Sequence, residues 1–442
     1  MNTRILFSDA WAIAQSLLLE HAEELPGERI VIIRDLMGRL HLALDAAGND
    51  ADKKAVINLL KKWSKQLGAY APTSDKSTVF WRDEMFDPDA VFANPDAHEI
   101  DKLAGKPLLL LDRQVIGLDW LRPEQAALSV PTIAFYGLKG GVGRSTALSA
   151  FAWWMTNQDK RVLVLDLDLE SPGITHSLLA EEARPDYGVV DWLIEDAVGQ
   201  ADEELIANMI APGPATMVGD IRVVPALGAK TKDFMPKLAR VYGDVRGQNG
   251  LEHFGQRLHR LCQALIKRTE CDLLLIDSRA GLHDIAAIAI THLAHIALLF
   301  ATSSSQTWRG YTELLAHWAE RPATAKRIGE KLRVVAAMIP QTPEERKRYL
   351  DRLTEQSWDC LTQIYEEVPP AEEDEESNKP YDYFNFDRDD PDAPHTPLPI
   401  YWRPEFIDGD FLGQPELTDD SHFLPAFGEF VKRLSELVET RS

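Results

Sequence analysis

The residues best placed to do chemistry stand in the stretch FYGLKGGVGRSTALSAFAWW, where an apolar run meets three glycines and then a helical pattern. Gly140, Gly141 and Gly143 have no side chains, so backbone N–H groups there can turn inward around an anion, and the start of a helix adds partial positive charge. That chemistry is phosphate binding. Ser145 stands where a hydroxyl would ligate Mg²⁺, and the cation before it, Arg144, stands where β- and γ-phosphate oxygens would be met. Against the strict pattern G-x-x-x-x-G-K-S/T, Leu138 replaces the first glycine and Arg144 the lysine. For such a loop taken alone, a glycine-rich turn without a ligand is the structural alternative.

Two acidic segments follow it. RVLVLDLDLESPG puts Asp166 and Asp168 at the carboxyl end of an expected strand, and CDLLLIDSRAG puts Asp277 at the end of another. Ligands of open parallel sheets bind at the carboxyl ends of strands, where carboxylates can hold the water shell of Mg²⁺. A lone Asp in such a place is an ordinary turn or cap residue. Three of them on two segments behind a glycine loop converge on one site. Gly281, four residues beyond Asp277, suits a loop whose amide approaches a γ-phosphate. Glu170 reads as a cap of the following turn, with ribose contact as the alternative.

The elements that must position these residues form three zones. In residues 1–127, helical patterns over 11–22 and 53–67 flank the strand-like runs ERIVIIRD and RLHLALD, with PLLLLD further on, which reads as an N-terminal accessory domain of α/β or α+β class. In residues 128–365, TIAFYGL, RVLVLDLDL, IRVVPAL, CDLLLID, HIALLFATS and LRVVAAMI read as buried strands. Helical segments such as 146–156 and 251–268 lie between them, so an α/β fold with a mostly parallel sheet flanked by helices is expected. Residues 366–442 open with twelve acidic against two basic residues over 366–392, a solvated, proline-rich linker. A C-terminal helix follows, its stripe of Phe423, Phe427, Phe430, Val431, Leu434, Leu437 and Val438 expected to dock on the protein's own core.

Composition narrows the function. Of 442 residues, 47 are Lys or Arg and 70 are Asp or Glu, for a net charge of −23, which argues against sequence-independent DNA binding. A local basic patch over 321–348 (Arg321, Lys326, Arg327, Lys331, Arg333, Arg346, Lys347, Arg348) keeps that reading open, although a solvated helix face explains it more simply. Cys262, Cys271 and Cys360 are odd in number and lack metal-ligand spacing, which points to a reducing cytoplasm rather than to disulfides or zinc. No transmembrane segment is expected: the longest apolar stretch, 285–301, is short and broken by polar residues, and it reads as a helix feeding a buried strand.

Together, KGGVGRST, DLDLESPG, IRVVPALG and DSRAG resemble the signatures of the ParA/MinD family of deviant Walker A ATPases, over roughly residues 130–345, and the combination KGG-x-GRS is similar to a branch associated with bacterial conflict or defence systems. The resemblance implies a P-loop NTPase domain that binds ATP and Mg²⁺ and forms an ATP-dependent homodimer. Gly140, Gly141, Val142, Gly143, Arg144, Ser145, Thr146 and Gly281 would bind the nucleotide. Lys139 would be the signature lysine that reaches across to the partner's phosphates, and Asp168 would orient the attacking water or accept its proton. Ser145 would ligate the metal, with Asp166 and Asp277 acting through waters, and the neighbourhood of Gln341 would meet adenine. GTP is disfavoured, because no T/N-K-x-D sequence follows a late strand. The expected function is a slowly hydrolysing switch that recruits a protein partner, with a nucleotide-sensing scaffold or a DNA partition ATPase as alternatives.

Overall fold

The run IVIIR lacks polar alternation because its strand is covered on both faces. The computed structural model describes residues 4–73, 78–122, 126–214, 219–247, 250–367, 383–406 and 414–440, and it divides into the units Met1–Leu118 and Asp119–Ser442. In the first unit β1 (Ile30–Arg34), β2 (Leu40–Leu44), β3 (Val79–Trp81), β4 (His98–Leu103) and β5 (Lys106–Asp112) form a mixed sheet in the order β3-β2-β1-β5-β4. Ile30 and Ile32 pack with Ala14, Leu18, Leu59 and Trp63 of the helices Phe7–Glu20 and Ile57–Leu67. Val31 and Ile33, one residue out of phase, join Val91 and Phe92 on the other face. The helix expected over 53–67 is two pieces: Asp50–Ala55, capped by Asn49, and Ile57–Leu67. They meet at the buried Val56, whose ψ of −1° departs from helical geometry.

In the second unit the strands are β6 (Thr132–Gly137), β7 (Val162–Leu167), β8 (Ala211–Pro212), β9 (Ile221–Val224), β10 (Val245–Gly247), β11 (Gly250–Glu252), β12 (Leu273–Ser278), β13 (Ile296–Ala301), β14 (Leu332–Ile339) and β15 (Leu398–Tyr401). Eight of them form one sheet, β15-β14-β13-β6-β12-β7-β9-β8, parallel at every pairing except β8 with β9, and β10 and β11 form a separate hairpin. Alternate residues feed two cores: Ala134, Tyr136, Leu163, Leu165 and Ile276 face one side, Ile133, Phe135, Val162, Val164 and Leu275 the other. This is the α/β architecture anticipated from the strand runs, a mostly parallel sheet with helices on both faces. The stretch 285–301 is a helix, Asp284–Ile288, continued by a π-type turn to Leu293 and then by β13. No described helix is long and apolar enough to cross a membrane.

The boundary falls at Leu118/Asp119 rather than near 127, because Trp120 belongs to the larger core. Its ring lies 5.8 Å from that of Trp318, whose Nε1 donates to Trp120 O at 3.0 Å. At the other end, most of the acidic run 366–392 lies outside the described residues. The segment beyond it adds β15 to the sheet next to β14. That strand holds Pro397 just before it and Pro399 within it, residues that a central strand rejects and an edge strand tolerates. The helix Asp420–Glu439 then docks beside the helix Arg144–Thr156: Phe430 meets Phe151 at 6.4 Å edge-on, Phe423 meets Trp153 at 4.5 Å, and Trp154 Nε1 donates to Ser435 Oγ at 3.1 Å.

Candidate functional site

β6 ends at Gly137, and after six intervening residues the helix Arg144–Thr156 begins. The bend needs glycine at two positions, Gly141 (φ +73°) and Gly143 (φ +77°), in the left-handed region that other residues avoid. A Cβ placed on Gly140, Gly141 or Gly143 would meet no atom within 4 Å, so the bend is open on its outer side. Val142 turns inward and is buried, and Thr146 is half-buried in the first helical turn. Leu138, which stands where the strict pattern has glycine, packs against the helix Ser305–Ala319, where a Cβ on Gly310 would come within 2.8 Å of its Cδ1. Lys139 Nζ donates to Gln306 Oε1 on that helix.

The three acids come to the carboxyl ends of adjacent strands. Asp277 on β12 pairs in register with Asp166 on β7, and Asp168 lies one residue beyond β7. Asp277 is buried, with one carboxylate oxygen accepting from Ser145 Oγ at 2.7 Å and the other from Arg144 Nε at 2.6 Å. Arg144 also donates through Nη2 to Asp168 Oδ2 at 3.2 Å, and Ser171 Oγ donates to the other Asp168 oxygen at 3.0 Å. Arg144 is thus not left pointing along the bend. Its guanidinium bridges carboxylates from two strands.

Asp166 stands one layer back. Its carboxylate accepts from Asp168 N at 3.0 Å and from Thr175 N and Oγ1 at 3.2 and 2.6 Å, and neither Arg144 nor Ser145 donates to it. Burial, followed by the charge of Asp277, pushes its pKa up to about 8. Burial also raises Asp277, against the pull of Arg144 and the Ser145 hydroxyl. For Arg144, burial acts to lower the pKa, but the charges of Asp277 and Asp168 outweigh it and the group stays firmly cationic.

The loops beyond β7 and β12 are tied together. Glu170 accepts from Arg279 and, at 3.3 Å, from Tyr242 Oη, so it holds the second acidic loop rather than capping its own turn as expected. Gly281 (φ +87°) donates its N–H to Gly137 O at 3.2 Å, and its carbonyl accepts from Tyr136 Oη at 3.2 Å. Gln341 donates to Trp402 O at 3.2 Å. Thr175, Ser171, Arg279 and Gln306 were not singled out in the sequence. Arg279 and Ser171 carried a signal, their places inside DSRAG and DLDLESPG.

An open bend with two left-handed glycines, beside a hydroxyl and carboxylates that could hold a hard cation, suits the phosphates of a magnesium nucleotide. Among the described residues no three His, Cys, Asp or Glu side chains converge as a metal cage. Protein ligation would therefore fall to Ser145 Oγ and, through waters, to Asp277, the carboxylate that Arg144 also holds.

No family model matches the chain, and no curated protein matches it. Solved structures do. A ParA family ATPase from Chlorobium tepidum is 15% identical, with 70% of this chain and 99% of that one covered at a TM-score of 0.41. A chain of the MinC:MinD cell division protein complex from Aquifex aeolicus is 14% identical, with 70% of this chain and 96% of that one covered at 0.43. Cobyrinic acid a,c-diamide synthase from Mycobacterium smegmatis, solved with an ATP analog and magnesium, is 17% identical, with 51% and 78% covered at 0.36.

Proposed function

We propose that this protein is an ATP-binding switch of the ParA/MinD type that hydrolyses its nucleotide slowly and dimerises on ATP to engage a protein partner. The observation that carries the reading is the meeting of Arg144 and Ser145, at the start of the helix behind a left-handed glycine bend, with acids from β7 and β12. In this reading the bend's N–H groups and the helix start bind the phosphates of ATP, and Gly140–Thr146 set their position. Mg²⁺, when bound, supplies charge neutralisation between phosphate oxygens. Ser145 Oγ and Asp277 would hold it, and Asp166, protonated near neutral pH and hydrogen-bonded to Thr175, would keep Asp168 in place through its backbone. Asp168 would accept the proton of the attacking water once Arg144 leaves its carboxylate. Lys139, which turns to Gln306 rather than to this chain's own acids, would reach a second chain's phosphates.

Phosphate release tests the enzymatic part. Wild-type protein should turn over slowly, faster per chain as protein concentration rises, and Asp168→Ala should lower the rate by about a hundredfold or more. Equal release by both purified proteins would remove hydrolysis. A second reading, a scaffold that binds ATP without turnover, draws on the two ion pairs of Arg144, which keep both reacting-side carboxylates engaged. DNA partition has less behind it. Lys326 pairs with Glu366 at 2.9 Å, and Arg346 lies over the Tyr401 ring at 4.9 Å and donates to Gln341 O, so part of the basic segment is used within the fold.

A further inference from the structure

Consecutive residues at the start of one helix engage both oxygens of Asp277: Arg144 takes one and Ser145 the other. The Arg144 side chain is 10% exposed, and those of Asp277 and Asp168 are 0% and 7% exposed. Two carboxylates, one on β12 and one just beyond β7, therefore share a single buried cation. A planar guanidinium is suited to this, since Nε and Nη2 can reach different carboxylates at once, which the point charge of an ammonium does less well. A divalent ion engaging Asp277 would come close to this guanidinium, and the two like charges repel.

We propose that Arg144 is the built-in counter-cation of this acidic cluster, holding Asp277 and Asp168 together without metal, and that a triphosphate must draw the guanidinium off Asp277 before a divalent ion can engage that carboxylate. The first half stands on the ion pairs alone, and the second rests on the nucleotide-binding reading above. Leu138, Lys139 and the glycines do not produce this arrangement. It follows from arginine at position 144, the residue by which the loop departs from the lysine pattern.

Thermal unfolding of the full chain, without nucleotide and at mildly alkaline pH, tests the first half. The wild-type midpoint should be unmoved by millimolar Mg²⁺. Arg144→Gln should unfold about 5 °C lower or more, because buried carboxylates lose their cation, and Mg²⁺ alone should restore at least half of that loss. Should the glutamine variant not fold, Arg144→Lys takes its place, with a smaller loss and the same rescue. A wild-type midpoint that rises with Mg²⁺ as much as the variant's, or a variant that loses stability without rescue, would overturn the proposal.

Fluorescent ATP binding in EDTA tests the second half. Asp277→Asn releases Arg144 toward the phosphates and should bind metal-free ATP about tenfold more tightly than wild type. Equal affinity would overturn the drawing-off step. Absence of nucleotide binding by every protein, with or without Mg²⁺, would remove the proposed function and with it the drawing-off step, and leave the counter-cation result standing.

Discussion

Asp166 shows how a single buried group sets a pH response. Its pKa is raised by burial and then by Asp277, so the folded state holds the proton more tightly than the unfolded chain does. Its stabilising contribution is complete below the unfolded value and is lost as pH rises through the folded value near 8. Asp166→Asn cannot ionise, and it keeps one oxygen for either Asp168 N or Thr175. Compared by unfolding in a pH series from mildly acid to mildly alkaline, the variant should gain on wild type by up to about 1.4 kcal/mol per pH unit. A difference that does not change with pH would mean that Asp166 is charged throughout. At this scale the sequence was informative about which residues meet and silent about how. The glycines, Ser145 and the three acids were legible because each ends a strand or opens a helix. That Arg144 faces carboxylates was not, because an arginine's partner depends on which oxygens the sheet register brings within reach.

Elements were legible where their apolar runs were unbroken. β6, β7, β9, β12, β13 and β14 all lie in runs rich in Val, Ile and Leu, each covered from both sides. β15 was missed, since Pro397 and Pro399 mask a strand that only an edge position permits. The C-terminal helix was read from its stripe, and the structure gives that stripe a target in the helix Arg144–Thr156. Phe430 has no exposed surface, so Phe430→Ala should cost about 3–5 kcal/mol in denaturant unfolding. Because this packing supports the helix that opens with Arg144 and Ser145, nucleotide affinity should fall as well. A loss under about 1 kcal/mol would mean that the docked helix contributes little to the fold.

For the whole molecule, the separation into two units has a thermodynamic consequence. Each has its own buried clusters: Leu18, Leu42 and Trp63 belong to one unit, Tyr136, Leu165 and Trp318 to the other. Calorimetry of the full chain should resolve two transitions, and saturating ATP with Mg²⁺ should raise only that of residues 119–442, by about 2.7 kcal/mol at a hundredfold excess over Kd. A single transition that moves as one would show the units to be thermodynamically coupled. The central claim, a triphosphate held by the bend between β6 and the helix Arg144–Thr156, is tested most directly by titrating the full chain with ATP and Mg²⁺ in a calorimeter. Wild type should bind one nucleotide per chain, and Gly141→Val, which forces a branched side chain into the left-handed region, should show no saturable binding. Equal binding by both proteins, or none by wild type, would contradict the account.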